Sequence, residues 1–140
     1  MITANNQAHN WTNLTGFGML VLAETGSTND DAKVLSNQCE GEFVVWAKFQ
    51  SAGRGGEDRQ WQAAEGCSLT FSVVLRPTEN EKEFINQFTA LGALALTDVL
   101  SSACALQAEI KWPNDVLVLG KKVCGILTET NWSGSSVESI

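Results

Sequence analysis

A chain of 140 residues can hold one domain with a real core and is too short for two. Its hydrophobic fraction, 44%, is that of an ordinary globular protein, and no apolar run nears the ~18 residues that span a bilayer. A formal net charge of −7 argues against general nucleic-acid binding, and four scattered cysteines with a single histidine, His9, argue against a zinc site.

Residues 1–16 are polar, rich in Asn, Thr and Gln, and read as a loosely held lead-in to a domain over 17–140. Residues 17–23 read as a first strand. They are too short for a membrane span, and no basic segment precedes them as in a signal peptide. A cytoplasmic protein is expected, with Cys39, Cys67, Cys104 and Cys124 as reduced thiols. Ser27 or Thr28 can cap a helix over 29–38, with Asp30 and Asp31 in its first turn, where the helix dipole favours them. Residues 43–49 form a short apolar strand. Residues 51–60 have no period and read as a loop. There Gly53, Gly55 and Gly56 let backbone N–H groups approach an anion, and Arg54 and Arg59 add guanidinium forks.

Residues 68–75 alternate in part and end at Arg76-Pro77, so they read as a strand. A helical stretch begins at Thr78 or Asn80, and Phe84, Phe88, Leu91, Ala95 and Val99 recur at helical spacing through about Cys104. A strand is expected over 108–112. Two apolar runs, 116–119 and 123–127, then flank Gly120-Lys121, which reads as a tight hairpin turn. Upstream, Pro113 stiffens a turn that presents Lys111, Asn114 and Asp115 together, and Lys122 begins the return strand. Residues 131–136 read as a turn and 137–140 as the opening of one more strand. Hairpins enclosing two helices give an α+β class, with a mixed or antiparallel sheet and helices packed on one face.

Lys111, Asn114, Asp115 and Lys122 form a set suited to phosphate, metal and developing negative charge. Ser27, Thr28 and Asn29 offer donors and acceptors to a small polar ligand. Taken singly, these three are a plain helix cap, and Trp61 and Trp112 are core tryptophans. The combination changes the reading. Glu24-Thr25-Gly26-Ser27-Thr28-Asn29, Gln50-Ser51-Ala52-Gly53-Arg54-Gly55, Trp61, Lys111-Trp112-Pro113-Asn114-Asp115, and Lys122 with Gly125-Ile126-Leu127 follow one another in this order. Together they resemble the catalytic domain of biotin protein ligases (biotin–[acetyl-CoA-carboxylase] ligases). The resemblance covers about residues 20 to 130, and Lys-Trp-Pro-Asn-Asp is its most specific piece.

The resemblance implies a class II aminoacyl-tRNA-synthetase-like fold, with ATP and biotin as substrates and Mg²⁺ on the triphosphate. It implies that biotin is activated as biotinyl-5′-AMP and then passed to a lysine of the biotin carboxyl carrier protein, an acetyl-CoA carboxylase subunit. Lys122 resembles the lysine that bridges the biotin carboxylate and the α-phosphate, and Lys111 would assist on the phosphates. Arg54, Gly55 and Gly56 resemble the loop that clamps the adenylate. Ser27, Thr28, Asn29 and Gln50 would contact biotin's ureido end or its surroundings. Asn114 would lie on the adenine side, Trp61 would pack on adenine or close the loop, and Asp115 would be a metal or water ligand. Gly53 and Gly125 complete the binding set.

Two departures stand out. The family loop commonly has a further arginine where this chain has Gly56, followed here by Glu57-Asp58, while Arg59 keeps its place before Trp61. The family also continues with a Gly-x-Gly-x-Asn strand beyond the position of Ile140, so the catalytic domain is expected to be incomplete at its C-terminus. The short N-terminal segment leaves no room for a DNA-binding helix-turn-helix. No DNA or membrane partner is therefore expected, while a homodimer or a completing chain would fit. The alternatives are a catalytically weak fragment that binds biotin or adenylate and needs another chain, and a lipoate protein ligase.

Overall fold

A computed structural model of the protein describes residues 11–14, 16–56, 59–64 and 66–140. They fall into two compact units: residues up to Thr78 together with Glu129–Ile140, and Glu79–Thr128.

In the first unit, β1 (Trp11–Leu14), β2 (Phe17–Thr25), β3 (Phe43–Gln50) and β4 (Thr70–Val74) form one sheet in that order. β2 and β3 are parallel, and the outer pairings are antiparallel, so the sheet is mixed. Parallel neighbours need a crossover, and helix α1 (Thr28–Ser36) supplies it. Alternation along the strands sends Leu20, Phe43, Val45 and Val74 to one face, where they bury with Ala32 of α1 and with Cys39. Trp11 packs on this core and meets Phe43 edge-on, with ring centroids 5.8 Å apart at 77°. The lead-in expected over 1–16 therefore ends in a strand. The segment Trp-Thr-Asn-Leu has no strong period, and burial of one indole ring organises it. Residues 1–10 and 15, and also Glu57, Asp58 and Glu65, lie outside the described residues.

In the second unit the single helical stretch expected after Thr78 is divided. Helix α2 (Glu79–Lys82) and a 3₁₀ turn (Ile85–Gln87) precede α3 (Phe88–Cys104), with Phe84 leaving helical geometry at φ −113°, ψ 19°. The face of α3 that packs also differs from the one its apolar period suggests. Ala93 is fully buried, whereas Leu91 and Val99 are more than half exposed, as is Phe84 ahead of the helix. Size explains this: a Cβ added at Gly92 would already lie 3.6 Å from Ile126, so the small-residue face is the one that can approach closely. Ala105, left-handed at φ 54°, ends the helix.

Strands β5 (Ala108–Lys111), β6 (Asp115–Val118) and β7 (Lys121–Gly125) form an antiparallel sheet in sequence order. The turn between β6 and β7 is Leu119-Gly120, one residue earlier than expected. Val118 pairs with Lys121, and both central residues have positive φ, 50° and 72°. A tight two-residue hairpin of this kind requires that at both positions, and Leu119 accepts it while 94% exposed.

The chain re-enters the first unit at Glu129. The turn expected over 131–136 is instead a hairpin of β8 (Asn131–Ser133) and β9 (Ser136–Ser139), closed at Gly134, whose φ is 60°. Ile140 exchanges both backbone hydrogen bonds with Leu75, at 2.9 and 3.1 Å, just past β4. Arg76 donates to the carbonyls of Ser36 and Cys39 behind α1 and to that of Glu138 in the hairpin, so one side chain ties helix and hairpin together. Among the described residues, no helix is long and apolar enough to cross a membrane.

Candidate functional site

The parallel pairing of β2 with β3 sets Thr25 beside Gln50, at the strand ends from which α1 departs. Ser27 takes the cap position of α1 but makes no side-chain cap bond. Gln50 does that work instead. Its Oε1 accepts from the Thr28 N–H at 2.8 Å and from Thr28 Oγ1 at 3.1 Å, satisfying a donor that the helix itself leaves open. Ser72 Oγ lies 2.8 Å from Thr28 Oγ1 and hydrogen-bonds Asn29 Oδ1. Asn29 Nδ2 donates to Glu129 at 2.9 Å. The expected residues Ser27, Thr28, Asn29 and Gln50 thus come together. Ser72 and Glu129 join them unforeseen, because neither belongs to a motif.

The loop after β3 continues the strand pairing, with the N–H groups of Ser51 and Ala52 donating to the carbonyls of Thr25 and Gly26. It then folds on itself. The Gly55 N–H donates to the Arg59 carbonyl at 2.6 Å, and the Trp61 N–H to the Gly53 carbonyl at 2.8 Å. Gly53 is buried, and a Cβ there would stand 2.5 Å from the Trp61 carbonyl and against the Gln50 amide. Only glycine fits that position. A Cβ at Gly56 would meet nothing within 4 Å.

Arg54 reaches back to α1. Its Nη1 and Nη2 grip both oxygens of Asp30, at 2.6 and 2.8 Å, and Nη2 also donates to Glu129 at 3.2 and 3.3 Å. These hydrogen bonds hold the Asp30 carboxyl below the usual carboxylate range, and they raise the guanidinium's already high value further. Asp30, read from the sequence as a helix-dipole residue, is therefore the arginine's main partner.

In the second unit Lys111 stands opposite Asp115, and Asp115 opposite Gly125. A register shift between Val116 and Leu117 gives β7 one extra residue, Val123, so that Lys122 faces Leu117. Facing residues share a side of the sheet, which places Lys111, Asp115 and Lys122 on one face. Lys122 Nζ lies 2.6 Å from Asp115 Oδ1. That oxygen is buried and makes no aligned hydrogen bond, so the ammonium's charge is what compensates it. Asn114 is spent partly on structure: its Nδ2 donates to the Ile126 carbonyl at 3.2 Å, and its own carbonyl accepts from the Ile126 N–H at 2.8 Å. Trp112 is 75% exposed and precedes a cis proline. Burial pushes the Cys124 thiol up, with Lys122 pulling the other way. Among the described residues no three His, Cys, Asp or Glu side chains are grouped to hold a metal ion.

The sequence profile of the biotin/lipoate A/B protein ligase family matches residues 21–140. The biotin–[acetyl-CoA-carboxylase] ligase of Paracoccus denitrificans is 42% identical over 122 residues, covering 86% of this chain and 50% of that protein. Among solved structures, the biotin protein ligase of Leishmania major in complex with biotinyl-5-AMP superposes with a TM-score of 0.65 at 26% identity, over 86% of this chain and 54% of that one. The Aquifex aeolicus biotin protein ligase, in complex with biotin and ATP, gives 0.64 at 29% identity, over 86% and 49%. The chain thus spans about half the length of the relatives it matches.

Proposed function

The chain belongs to the biotin/lipoate A/B protein ligase family, and on that premise we propose that it is an ATP-dependent biotin protein ligase, acting in the cytoplasm on a lysine of a biotin carboxyl carrier protein. In the first step a biotin carboxylate oxygen attacks the α-phosphorus of ATP, giving biotinyl-5′-AMP and pyrophosphate. In the second, the carrier's lysine amine attacks the acyl carbon, an amide forms and AMP leaves. Two mutually repelling anions must be aligned in the first step, so fixed cations matter most there.

Lys122 and Lys111 are the proposed cations on carboxylate and phosphates. The observation that carries the reading is that they share one sheet face, on which Asp115 pairs with Lys122 and Glu109 lies in the same row as Lys122, in and beside the segment on which the resemblance rests most. Mg²⁺ would enter with the nucleotide and neutralise phosphate charge. Since Asp115 Oδ1 serves Lys122, Oδ2 is the oxygen left to hold the ion. Ser27, Thr28, Asn29 and Gln50 are proposed for biotin's ureido group. Gln50 commits its Oε1 to Thr28, which leaves its amide N–H groups as donors. Arg54, Gly53, Gly55, Gly56 and Trp61 are proposed for the adenylate. Asn114, whose Nδ2 is committed, offers Oδ1 on the adenine side, and Gly125 leaves the strand open beside Asp115.

ATP–pyrophosphate exchange, with biotin, with lipoate and with neither, tests the first step without needing the right acceptor. Exchange that depends on biotin is expected. Exchange driven by lipoate alone would reassign the substrate. Silence with both acids, together with biotin binding in a calorimeter, would replace the enzyme with a binding chain.

A further inference from the structure

Arg54 is the only side chain of residues 53–56 that bonds to α1 among the described residues, and it does so through an unusual set of acceptors. Asp30 takes it in a bidentate grip, and Glu129 adds a second carboxylate, 75 residues away in sequence. Glu129 simultaneously accepts from Asn29, the neighbour of Asp30. One carboxylate therefore joins the loop's arginine to the polar first turn of the helix. The neighbouring loop residues are glycines, so beyond the backbone hydrogen bonds of Ser51, Ala52, Gly53 and Gly55, Arg54 is the side chain through which residues 53–56 can be fastened to the helix.

We propose that Asp30 and Glu129 are positioning residues for Arg54: they hold its guanidinium, and through it the 51–56 loop, against the first turn of α1. This deepens the proposed function and rests on it where the loop's ligand is concerned. The grip does not exhaust the arginine. Of its five N–H donors, the Nε–H and one Nη1–H remain for an anion, and they are held in a fixed place by the carboxylates on the other donors. The arrangement also has a cost. Arg54, Asp30 and Glu129 together carry one net negative charge, so the trio gives an incoming anion no net long-range attraction and contributes chiefly by fixing geometry.

The test compares the parent with Asp30→Asn, Glu129→Gln, the double variant of these two, and Glu129→Asp. Amide hydrogen exchange of Ala52 and Gly55 is followed in the ligand-free chain at low and high salt, and binding of biotinyl-5′-AMP is followed by calorimetry. A single exposed ion pair shifts an equilibrium by about fivefold at most, so loop exchange should quicken by about two- to fivefold in Asp30→Asn and Glu129→Gln, with amides of β3 and β4 unchanged. High salt should quicken the parent's loop and leave the double variant's unaffected, a response that a packing role would not produce. The dissociation constant of biotinyl-5′-AMP should rise by a similar factor in Glu129→Gln and recover in part in Glu129→Asp, which keeps the charge. Loop exchange equal in parent and variants would overturn the proposal, as would biotinyl-5′-AMP bound just as tightly after the loop has loosened. If the parent binds no biotinyl-5′-AMP, the exchange comparison still decides whether the two carboxylates hold the loop, and the missing binding counts against the ligase reading alone.

Discussion

Asp115 and Lys122 form a 2.6 Å ion pair across β6 and β7, although strict alternation from the Val116–Cys124 pair would put their side chains on opposite faces of the hairpin. The extra residue in β7 is what turns Lys122 to the side of Asp115 and Lys111. A backbone irregularity thereby adds the charge of Lys122 to that face.

Lys122→Ala should lower biotin-dependent adenylation by about 10²–10³, as for loss of one preorganised charge-stabilising donor. It should also destabilise the chain by about 1–2 kcal/mol, because the Asp115 side chain, only 17% exposed, is left without its counter-charge. Adding Asp115→Asn should restore much of the stability and none of the activity. Urea melts and pyrophosphate exchange on the parent and the two variants separate the two effects, and a stable but inactive single variant would mean that the ion pair contributes little.

The loop glycines should rank in order of the room around them. Gly53→Ala drives a Cβ into the Trp61 carbonyl and should cost about 1–3 kcal/mol. Gly55→Ala meets the Arg59 carbonyl at 3.3 Å and should cost less. Gly56→Ala meets nothing within 4 Å and should be neutral or slightly stabilising, through reduced freedom of the unfolded chain. Thermal denaturation of the three proteins gives the ranking directly, and a neutral Gly53→Ala would show that the loop can open at that point without cost.

Gly56→Arg should slow escape of biotinyl-adenylate. A Cβ at this position meets nothing within 4 Å, and the substitution adds a guanidinium two residues from Arg54, whose trio is net negative. Release of labelled intermediate can be timed by rapid filtration. A parent that retains it as long as the variant does would assign the clamp to another group.

Alkylation should divide the cysteines. Burial holds the thiols of Cys39 and Cys124 above the usual range, whereas Cys67 and Cys104 are exposed. Iodoacetamide at pH 8, followed by peptide mass spectrometry, should modify Cys67 and Cys104 first. Early modification of Cys124 would mean that the hairpin opens readily.

Asp30 gives a signed pH dependence. Arg54 depresses its folded pKa, so its stabilisation is complete above the unfolded value of about 3.9 and is lost as pH falls through the lower folded value. The stability difference between parent and Asp30→Asn should be flat from pH 7 to about 4 and shrink below it. Its size should stay under about 1 kcal/mol, because the carboxylate is 59% exposed. A difference that persists at pH 2 would trace to packing rather than charge.

The segments around Ser27-Thr28-Asn29, Gly53-Arg54-Gly55 and Lys111-Asp115 were legible, in their order along the chain, as the pattern of the biotin/lipoate A/B protein ligase family. So were α1, the β2 and β3 strands and the β6–β7 hairpin. Each of these depends on neighbours within a few residues: a period of two, a turn residue, a helix start. The pairings that give those segments their shape were not legible. Gln50 caps α1 from 22 residues away, and Arg54 meets Asp30 at 24 and Glu129 at 75. The buried face of α3 follows Gly92 and Ala93 rather than its larger apolar residues, because close approach is decided by what lies opposite. The bulge that aims Lys122 arises from the register between two strands and leaves no mark on either one. Local sequence determined which groups are present and roughly where the chain turns. Which carboxylate faces which cation was decided by long-range contact, since a side chain's partner depends on the path of the whole backbone.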